Sequence, residues 1–480
     1  MIQTPFQRSS QILHNKEEYG SAYDTMSFMG AEAAVNAQIR RDCLLTKILQ
    51  FPESELIFSD TKLSTGALSP GCRLCAQGDW SCLFINNICN ATCFFCPSTQ
   101  NAQVQPMSNS IEFRTPKEYA DYVRTFGIKG VSFSGGEPFI SFDRVLLFLK
   151  ILRTQISHPL YIWMYTNGIL ADSDKLKTLA DNGLDEIRFD LSAVGYNLNG
   201  IRKALGVIPR VTVEIPAIPE DLIKTKELVH ILYEEGVQHL NLHQIRCTQF
   251  NQPRLAQRGY TFVHGPKVTV PETELAALEL ILHCLENQIA LPVNYCSFTY
   301  RHQFQRAGAL RRAAGQIKAG HEDITENGYI RALSFLGSPG TMDIIHQQLQ
   351  SQVKDQTLFE MKKTKDQLFF SAALLPDIDL IAIAGSDLQL KIAYYSAVLK
   401  SVVSFRHAFK EVFLNKKKKV VVERQAREKG VILIKDQIPA YIKGISNWSK
   451  PPADWNNLQA DIIERILPFE QFEQGLALYY

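Results

Sequence analysis

The sequence predicts an α/β fold: a partial (β/α)6 TIM-like barrel with an N-terminal helical extension and a small C-terminal α+β domain. Three observations predict it. Strand-like and helix-like segments alternate through six units between residues 82 and 245, a rhythm that means parallel strands joined by crossover helices. At 480 residues the chain exceeds what one hydrophobic core usually organises. Beyond about residue 345 the patterning changes character. The expected division is therefore 1–70, the helical extension; 71–250, the barrel; 251–345, a segment that closes it; and 346–480, the α+β domain. An open doubly wound sheet has the same periodicity and stays open at this stage.

Taken in order, Glu17 to Leu49 has few helix breakers and some helical periodicity, so it reads as helix. The strand candidates are Cys82–Ile88, Gly130–Ser134, Tyr161–Thr166, Glu186–Ser192, Arg210–Ile218 and His239–Ile245. Thr115-Pro116 opens a helix with proline in its first turn. Ser173 caps another, and Gly183 ends it. Pro271 to Gln288 carries apolar residues at helical spacing. The last region holds one strongly apolar stretch, IDLIAIAG, and a charge run, Lys416–Lys419.

A formal net charge of +2 argues neither for nor against nucleic acid. The lysine run lacks the aromatic stacking pattern that would accompany it, so a solvated turn is expected and a nucleic-acid partner is not. No apolar run is long enough to span a bilayer, and the N-terminus lacks the layout of a signal peptide. The expected setting is cytoplasmic, without a membrane partner. Ten cysteines are present, and Cys72, Cys75, Cys82, Cys89, Cys93 and Cys96 crowd between residues 72 and 96. In a cytosolic protein that density points to metal rather than to disulfides.

Two metal chemistries fit this window. Cys72-x2-Cys75 and Cys93-x2-Cys96 have the spacing of a four-cysteine zinc site. That arrangement leaves Cys89 idle. Alternatively, Cys89, Cys93 and Cys96 form C-x3-C-x2-C directly after an apolar strand. Three thiolates on one loop hold three irons of a [4Fe–4S] cube and leave the fourth open, as a catalytic centre needs.

With CNATCFFC the sequence resembles the radical S-adenosylmethionine (SAM) superfamily over about the central half of the chain. Further motifs support the resemblance: SFSGGEP (Ser132–Pro138) at the end of the second strand, YTNG (Tyr165–Gly168) at the end of the third, and EIRFDLS (Glu186–Ser192) as the fourth. The resemblance implies that Cys89, Cys93 and Cys96 ligate a [4Fe–4S] cluster whose open iron is chelated by SAM. One electron then cleaves the sulfonium, giving methionine and a 5′-deoxyadenosyl radical that takes hydrogen from a substrate. It places Phe95 near the adenine, and Gly135, Gly136 and Glu137 at the amino group of SAM. Asn167 belongs to the YTNG element. Arg188 is expected at the SAM carboxylate and Asp190 or Ser192 at the ribose, these three sharing one face of a strand; a salt-bridged trio is the competing expectation. The resemblance also implies an electron donor such as flavodoxin or ferredoxin. In the fifth strand VTVEIPAIPED lacks the family's Gly-x-Ile-x-Gly-x-x-Glu element, and Glu214 faces either the pocket or an edge.

GCRLC before the loop, HLNLHQI, PVNYCS and DITENG (Asp323–Gly328) resemble a little-characterised group related to pyruvate formate-lyase activating enzymes. A second centre, an auxiliary Fe–S cluster or zinc, is expected at Cys72, Cys75 and Cys296. The competing expectation for Cys296 is a buried thiol acting as a small hydrophobe. His243 and Gln244 end the sixth strand at the barrel mouth, where chemistry collects, and a structural histidine fits equally. Cys247 reads as an ordinary loop cysteine. Arg301, Arg306, Arg311 and Arg312 suit either an anionic or peptide substrate or a solvated face. The leading expectation is a radical SAM enzyme with a peptide or protein substrate. The alternatives are a glycyl-radical-enzyme activase and a non-catalytic zinc-ribbon protein.

Overall fold

Two helices, α1 (Pro5–Tyr19) and α2 (Ala31–Ile48), begin the chain. They are not one helix, because Gly20 takes φ +54 and the chain turns there. A hairpin of β1 (Ser54–Ile57) and β2 (Lys62–Thr65) follows, so the extension is not wholly helical. Its turn passes through three consecutive left-handed residues, Phe58, Ser59 and Asp60, a conformation these residue types do not advertise. The computed structural model describes residues 5–102, 104–378, 387–445, 458 and 460–479.

After the short helix α3 (Pro70–Gln77) the barrel strands begin. They are β3 (Trp80–Phe84), β4 (Gly130–Ser134), β5 (Tyr161–Thr166), β6 (Glu186–Phe189), β7 (Val211–Pro216), β8 (His239–His243) and β9 (Val293–Cys296). They pair in chain order, each parallel to the next. That makes seven parallel strands, one more than the sequence rhythm predicts. β9 is only four residues long and follows a long connection, which hid it. The β1–β2 hairpin lies beyond it, with β2 antiparallel to β9. The fold is thus a partial barrel.

The crossover helices include α4 (Pro116–Thr125), α5 (Phe142–Gln155), α6 (Ser173–Asp181), α7 (Asn199–Ala204) and α8 (Leu222–Glu234). Thr115 caps α4, its hydroxyl accepting from Glu118 N at 3.3 Å. α6 is capped by Asp172, which accepts from Lys175 N at 2.8 Å, one residue before the expected Ser173. Later come α9 (Gln252–Gln257) and α10 (Pro271–Glu286).

Strand residues alternate in character. Val211, Val213, Ile215, Leu240, Leu242, Val293 and Tyr295 are buried apolar side chains. Their neighbours Thr212, Glu214, Asn241 and Asn294 lie on the opposite face, where Thr212 donates to Glu186 at 2.8 Å and the other three bond to one another across the barrel interior. Arg188 Nη1 donates to Glu214 at 2.8 Å, Asn241 Nδ2 to Glu214 at 3.0 Å, Asn294 Nδ2 to Asn241 Oδ1, and Lys62 Nζ to Asn294 Oδ1.

The chain divides into two compact units, Met1–Gln305 with Gln474–Tyr480, and Arg306–Glu473. The second unit therefore begins well before the expected boundary at 345, which falls inside the helix Pro339–Gln352. Its strands are β10 (Ile330–Leu336), β11 (Phe359–Met361), β12 (Gln367–Phe370), β13 (Gln389–Lys400), β14 (Ala408–Phe413) and β15 (Lys419–Ile434). With the two-residue strand Asp323–Ile324 paired to β10, they form an antiparallel sheet in the order β11-β12-β10-β13-β15-β14. Arg331 pairs with Glu470 at 2.9 Å in its interior. Lys416–Lys418 lie in the turn between β14 and β15, and Lys419 opens β15 and pairs with Glu411 at 2.6 Å. Apart from Ile378, the IDLIAIAG stretch lies outside the described residues. Among the described residues no helix is long and apolar enough to cross a membrane.

Candidate functional site

The loop that carries Cys89, Cys93 and Cys96 leaves β3 through Ile85–Ile88. Cys89 N donates to Gln100 O at 3.2 Å and Cys96 N to Cys93 O at 3.2 Å, which curl the loop on itself. All three cysteines are half-buried free thiols. Cys89 Sγ accepts from Ala91 N at 3.4 Å and from Asn167 Nδ2 at 3.8 Å. Burial pushes the three thiols up, Cys93 to about 12 with the Asp190 carboxylate adding to it, while the Arg254 guanidinium draws Cys96 back. A thiol must shed its proton to bind metal, so this pocket favours the thiolate only when a cation compensates.

Residues beyond β8 hold this loop from outside. Arg254 donates to the carbonyl oxygens of Cys93 and Cys96, Asn251 Nδ2 to Phe95 O at 2.8 Å, and Thr248 Oγ1 to Pro97 O at 3.2 Å. Sequence reasoning missed Arg254 and Asn251. The only signal was proline in the first turn of α9, close behind Cys247. Phe95 stacks edge-on with Phe94 at 5.3 Å, and both pack against the cluster of Ile245, Cys247 and Tyr260. Cys247 is thus a core residue.

Gly135 and Gly136 both take positive φ. A Cβ on Gly136 would collide with the carbonyl oxygen of Ile88, and one on Gly135 would press on Asn86 O and Phe84. The glycines therefore let the turn after β4 sit directly on the backbone entering the cysteine loop. Glu137 N donates to Ile88 O at 2.8 Å. The Glu137 carboxylate is 1% exposed and accepts from Phe139 N at 3.0 Å, Thr166 Oγ1 at 2.9 Å and Asn167 N at 2.8 Å. Burial still raises it above the ordinary carboxylate range.

Asn167 joins these parts, donating from Nδ2 to Asn90 Oδ1 at 2.7 Å. β6 ends at Phe189, and Asp190 turns the chain by accepting from Ser192 N at 3.1 Å and from Ser192 Oγ. Ser192 therefore lies in a turn, not on the strand face expected for it. Burial raises Asp190 to about 6. Arg188 lies elsewhere. Its guanidinium donates to Glu186 at 2.8 Å, Glu214 at 2.8 Å, Ser69 Oγ at 3.1 Å and Tyr165 Oη at 3.3 Å. This is the salt-bridged alternative, with Glu186 and Glu214 as the anions in place of Asp190.

Cys72 and Cys75 stand one turn apart on α3, and their electrostatic neighbours include Cys296 and Lys62. Cys93 and Cys96 neighbour Cys89 and Asp190 instead. The four-cysteine zinc arrangement of residues 72, 75, 93 and 96 is thus not formed. Among the described residues, no three His, Cys, Asp or Glu side chains are grouped to hold one metal ion. Cys82 faces Ser132 and Ser134. His243 is lowered to about 4 by burial and by Arg301, against the pull of Glu214. Gln244 supports the backbone, accepting from Phe298 N at 3.0 Å.

The donor set of the cysteine loop fits an iron–sulfur cluster. Three thiols share one loop, and the Ala91 N–H and the Asn167 amide point at the sulfur of Cys89. Residues 83–215 match the model of the radical SAM superfamily. A protein of Methanocaldococcus jannaschii described as a glycyl-radical enzyme activating enzyme is 26% identical over 279 residues, covering 55% of this chain and 72% of the relative. A protein of the same organism described as a GTP 3′,8-cyclase is 31% identical over 142 residues, covering 26% of this chain and 44% of the relative. Among solved structures, the FeFe-hydrogenase maturase HydG from Carboxydothermus hydrogenoformans aligns with TM-score 0.34 and 11% identity over 60% of this chain and 76% of that one. Coproporphyrinogen III oxidase from Escherichia coli aligns with TM-score 0.29 and 14% identity over 49% and 58%. Residues 83–215 thus carry a radical SAM domain, and the chain is an enzyme.

Proposed function

We propose that Cys89, Cys93 and Cys96 hold a [4Fe–4S] cluster, that SAM binds beside it, and that the substrate is a peptide or a partner protein. The observation that carries this is the placement of three thiols against the Asn167 amide and the Asp190 carboxylate, inside the segment that matches the superfamily. When bound, such a cluster supplies one electron to the sulfonium of SAM, whose cleavage yields methionine and a carbon radical that takes hydrogen from substrate.

The chain's own residues orient and exclude. Gly135, Gly136 and Glu137 form the floor beside the loop, and the satisfied Glu137 carboxylate fixes the ends of β4 and β5 relative to each other. Asn167 ties that floor to Asn90. Asp190 and Ser192 offer the polar groups for a ribose. Phe94 and Phe95 supply the apolar wall that keeps water away. Arg188 is left to the interior.

A partner protein as substrate draws support from the Methanocaldococcus relative's description, and within that class we favour activation of a glycyl-radical enzyme. The reductant we assign is a flavodoxin or ferredoxin, and ten free thiols suit a reducing, cytoplasmic setting.

The test is anaerobic reconstitution followed by SAM and dithionite. The expected result is 5′-deoxyadenosine from the wild type and none from Cys93→Ala. A reconstituted chain that carries zinc alone, or cleaves no SAM, overturns the reading.

A further inference from the structure

We propose that Cys72, Cys75 and Cys296 ligate a second iron–sulfur cluster inside the barrel, with Lys62 as its counter-cation. This second site uses none of the cysteine-loop residues.

Three segments bring the thiols together. Ser69 caps α3, its hydroxyl accepting from Cys72 N at 3.2 Å, and this turn sets Cys72 and Cys75 on one face. Gly71 lets α3 press against the barrel interior, since a Cβ there would collide with the Arg188 guanidinium. Cys296 ends β9, and its register partner on β2 is Lys62. Each thiol is a free cysteine, and the sulfurs of Cys72 and Cys296 are neighbours of Cys75.

Lys62 supplies the stronger argument. It is fully buried, and among the described residues its partners are Asn294 Oδ1, Cys296 Sγ at 2.6 Å and the ring of Tyr300 at 4.7 Å. None of these is a carboxylate. An ammonium taken out of water without an anion is costly, and buried charges are found paired or at metal sites. Metal-bound thiolates are the anions this position lacks. The other buried cation nearby, Arg188, already has Glu186 and Glu214.

Two more polar groups face the same place. Tyr300 is buried, and its hydroxyl lies against the sulfurs of Cys75, Cys296 and Cys72. Gln305 Nε2 donates to Cys75 Sγ at 3.0 Å. Donors aimed at sulfur are how proteins tune iron–sulfur centres.

A cluster suits the trio better than a single zinc ion. Zinc draws its ligands to one point. Among the described residues, no three His, Cys, Asp or Glu side chains are grouped around one such point, these thiols included. A cluster takes each thiolate on a different iron, so its sulfurs are spread. A preformed cluster is delivered by an iron–sulfur carrier protein: each thiol releases its proton to solvent as its sulfur displaces a carrier thiolate from iron, and the oxidation states of iron and sulfide are unchanged.

The experiment uses the full chain, produced anaerobically with Cys89, Cys93 and Cys96 all replaced by Ala. Iron, acid-labile sulfide and zinc are measured, with Mössbauer spectra and a circular-dichroism melt. The expected result is a folded variant that keeps iron and sulfide and loses both when Cys72→Ala and Cys75→Ala are added. Cys296→Ala on the same background is expected to lose them as well, and Lys62→Met to lower the retained iron severalfold. A folded triple variant with no iron or sulfide, or with zinc alone, overturns the proposal. If the triple variant does not fold, Cys296→Ser in the otherwise native chain replaces it. Iron per chain must then fall, and an unchanged value overturns the proposal. Failure of the cysteine-loop reading gives a different pattern, in which wild type and triple variant carry the same iron and sulfide.

Discussion

Arg254 donates to the carbonyl oxygen of Cys93 at 3.0 Å, from a helix far along the chain. A second donation from the same guanidinium reaches Cys96 O at 3.4 Å. The loop that carries three candidate ligands is therefore held by a planar fork that fits two carbonyls at once. Arg254→Met is expected to loosen the loop by about 1.5–3 kcal/mol, the usual range for charged hydrogen bonds. Iron is then lost faster to a chelator, while the circular-dichroism spectrum is unchanged. Arg254→Lys keeps the charge but not the fork, so its loss rate should fall between the two. Equal rates for all three proteins would mean that the clamp has no role in holding the loop.

Glu137 makes a second test. Its carboxylate satisfies three buried donors from two elements. Glu137→Ala leaves all three without a partner. The expected loss is at least about 3 kcal/mol, at about 1–3 kcal/mol for each buried group left unmade. Urea unfolding measures it as a lowered midpoint. Glu137→Gln retains one acceptor oxygen and should lose less.

Gly136→Ala addresses the close approach of the turn after β4. The residue has φ +56, and its new Cβ would meet the Ile88 carbonyl. Backbone strain and overpacking together are expected to exceed about 3 kcal/mol. Gly206→Ala is the control. Its φ is +77, but nothing lies within 4 Å of the Cβ, so only the strain of about 1–2 kcal/mol applies. Similar midpoints for the two variants would show that the packing against Ile88 contributes little.

Glu322 in the second unit gives a pH prediction. Burial pushes its carboxyl up, but the Arg424 guanidinium and the Ala319 N–H outweigh that and hold it below the ordinary carboxylate range. A folded-state value below the unfolded one stabilises the fold above the unfolded value, about pH 4.3. That contribution is lost as pH falls through the depressed folded value. Glu322→Gln should therefore destabilise the protein at pH 7, and the gap from wild type should shrink below about pH 4. A gap constant across that range would exclude the linkage.

Arg331 and Glu470 test the second unit's interior. The guanidinium donates to both carboxylate oxygens, at 3.0 and 2.9 Å, and Tyr394 Oη adds a third donor at 2.6 Å. Arg331→Met leaves a buried carboxylate uncompensated and is expected to cost about 3–5 kcal/mol. Replacing both residues by apolar ones should recover much of that loss.

Much of the barrel was legible because its strands follow one simple rule. Gly130–Ser134 and Tyr161–Thr166 form the strands expected over those residues. The cysteine loop was legible because its three sulfurs lie within eight residues, so no folding is needed to bring them together. Local chemistry also marked Thr115 as a cap, because that bond spans three residues.

Contacts between distant segments were not legible. Arg254 against Cys93, Lys62 against Cys296 and Arg188 against Glu214 join positions 161, 234 and 26 residues apart. Residue type alone cannot say which cation meets which acceptor. Arg188 could be read toward SAM or toward a salt bridge until the fold placed Glu186 and Glu214 beside it. β9 and the β1–β2 hairpin are too short to show a period, and pairing with a neighbour is what makes them strands. The sequence by itself determined the local chemistry: the thiols, the glycine turn and the alternation along each strand. Only the tertiary structure decided which buried charges are matched, because that depends on neighbours chosen by the path of the whole chain.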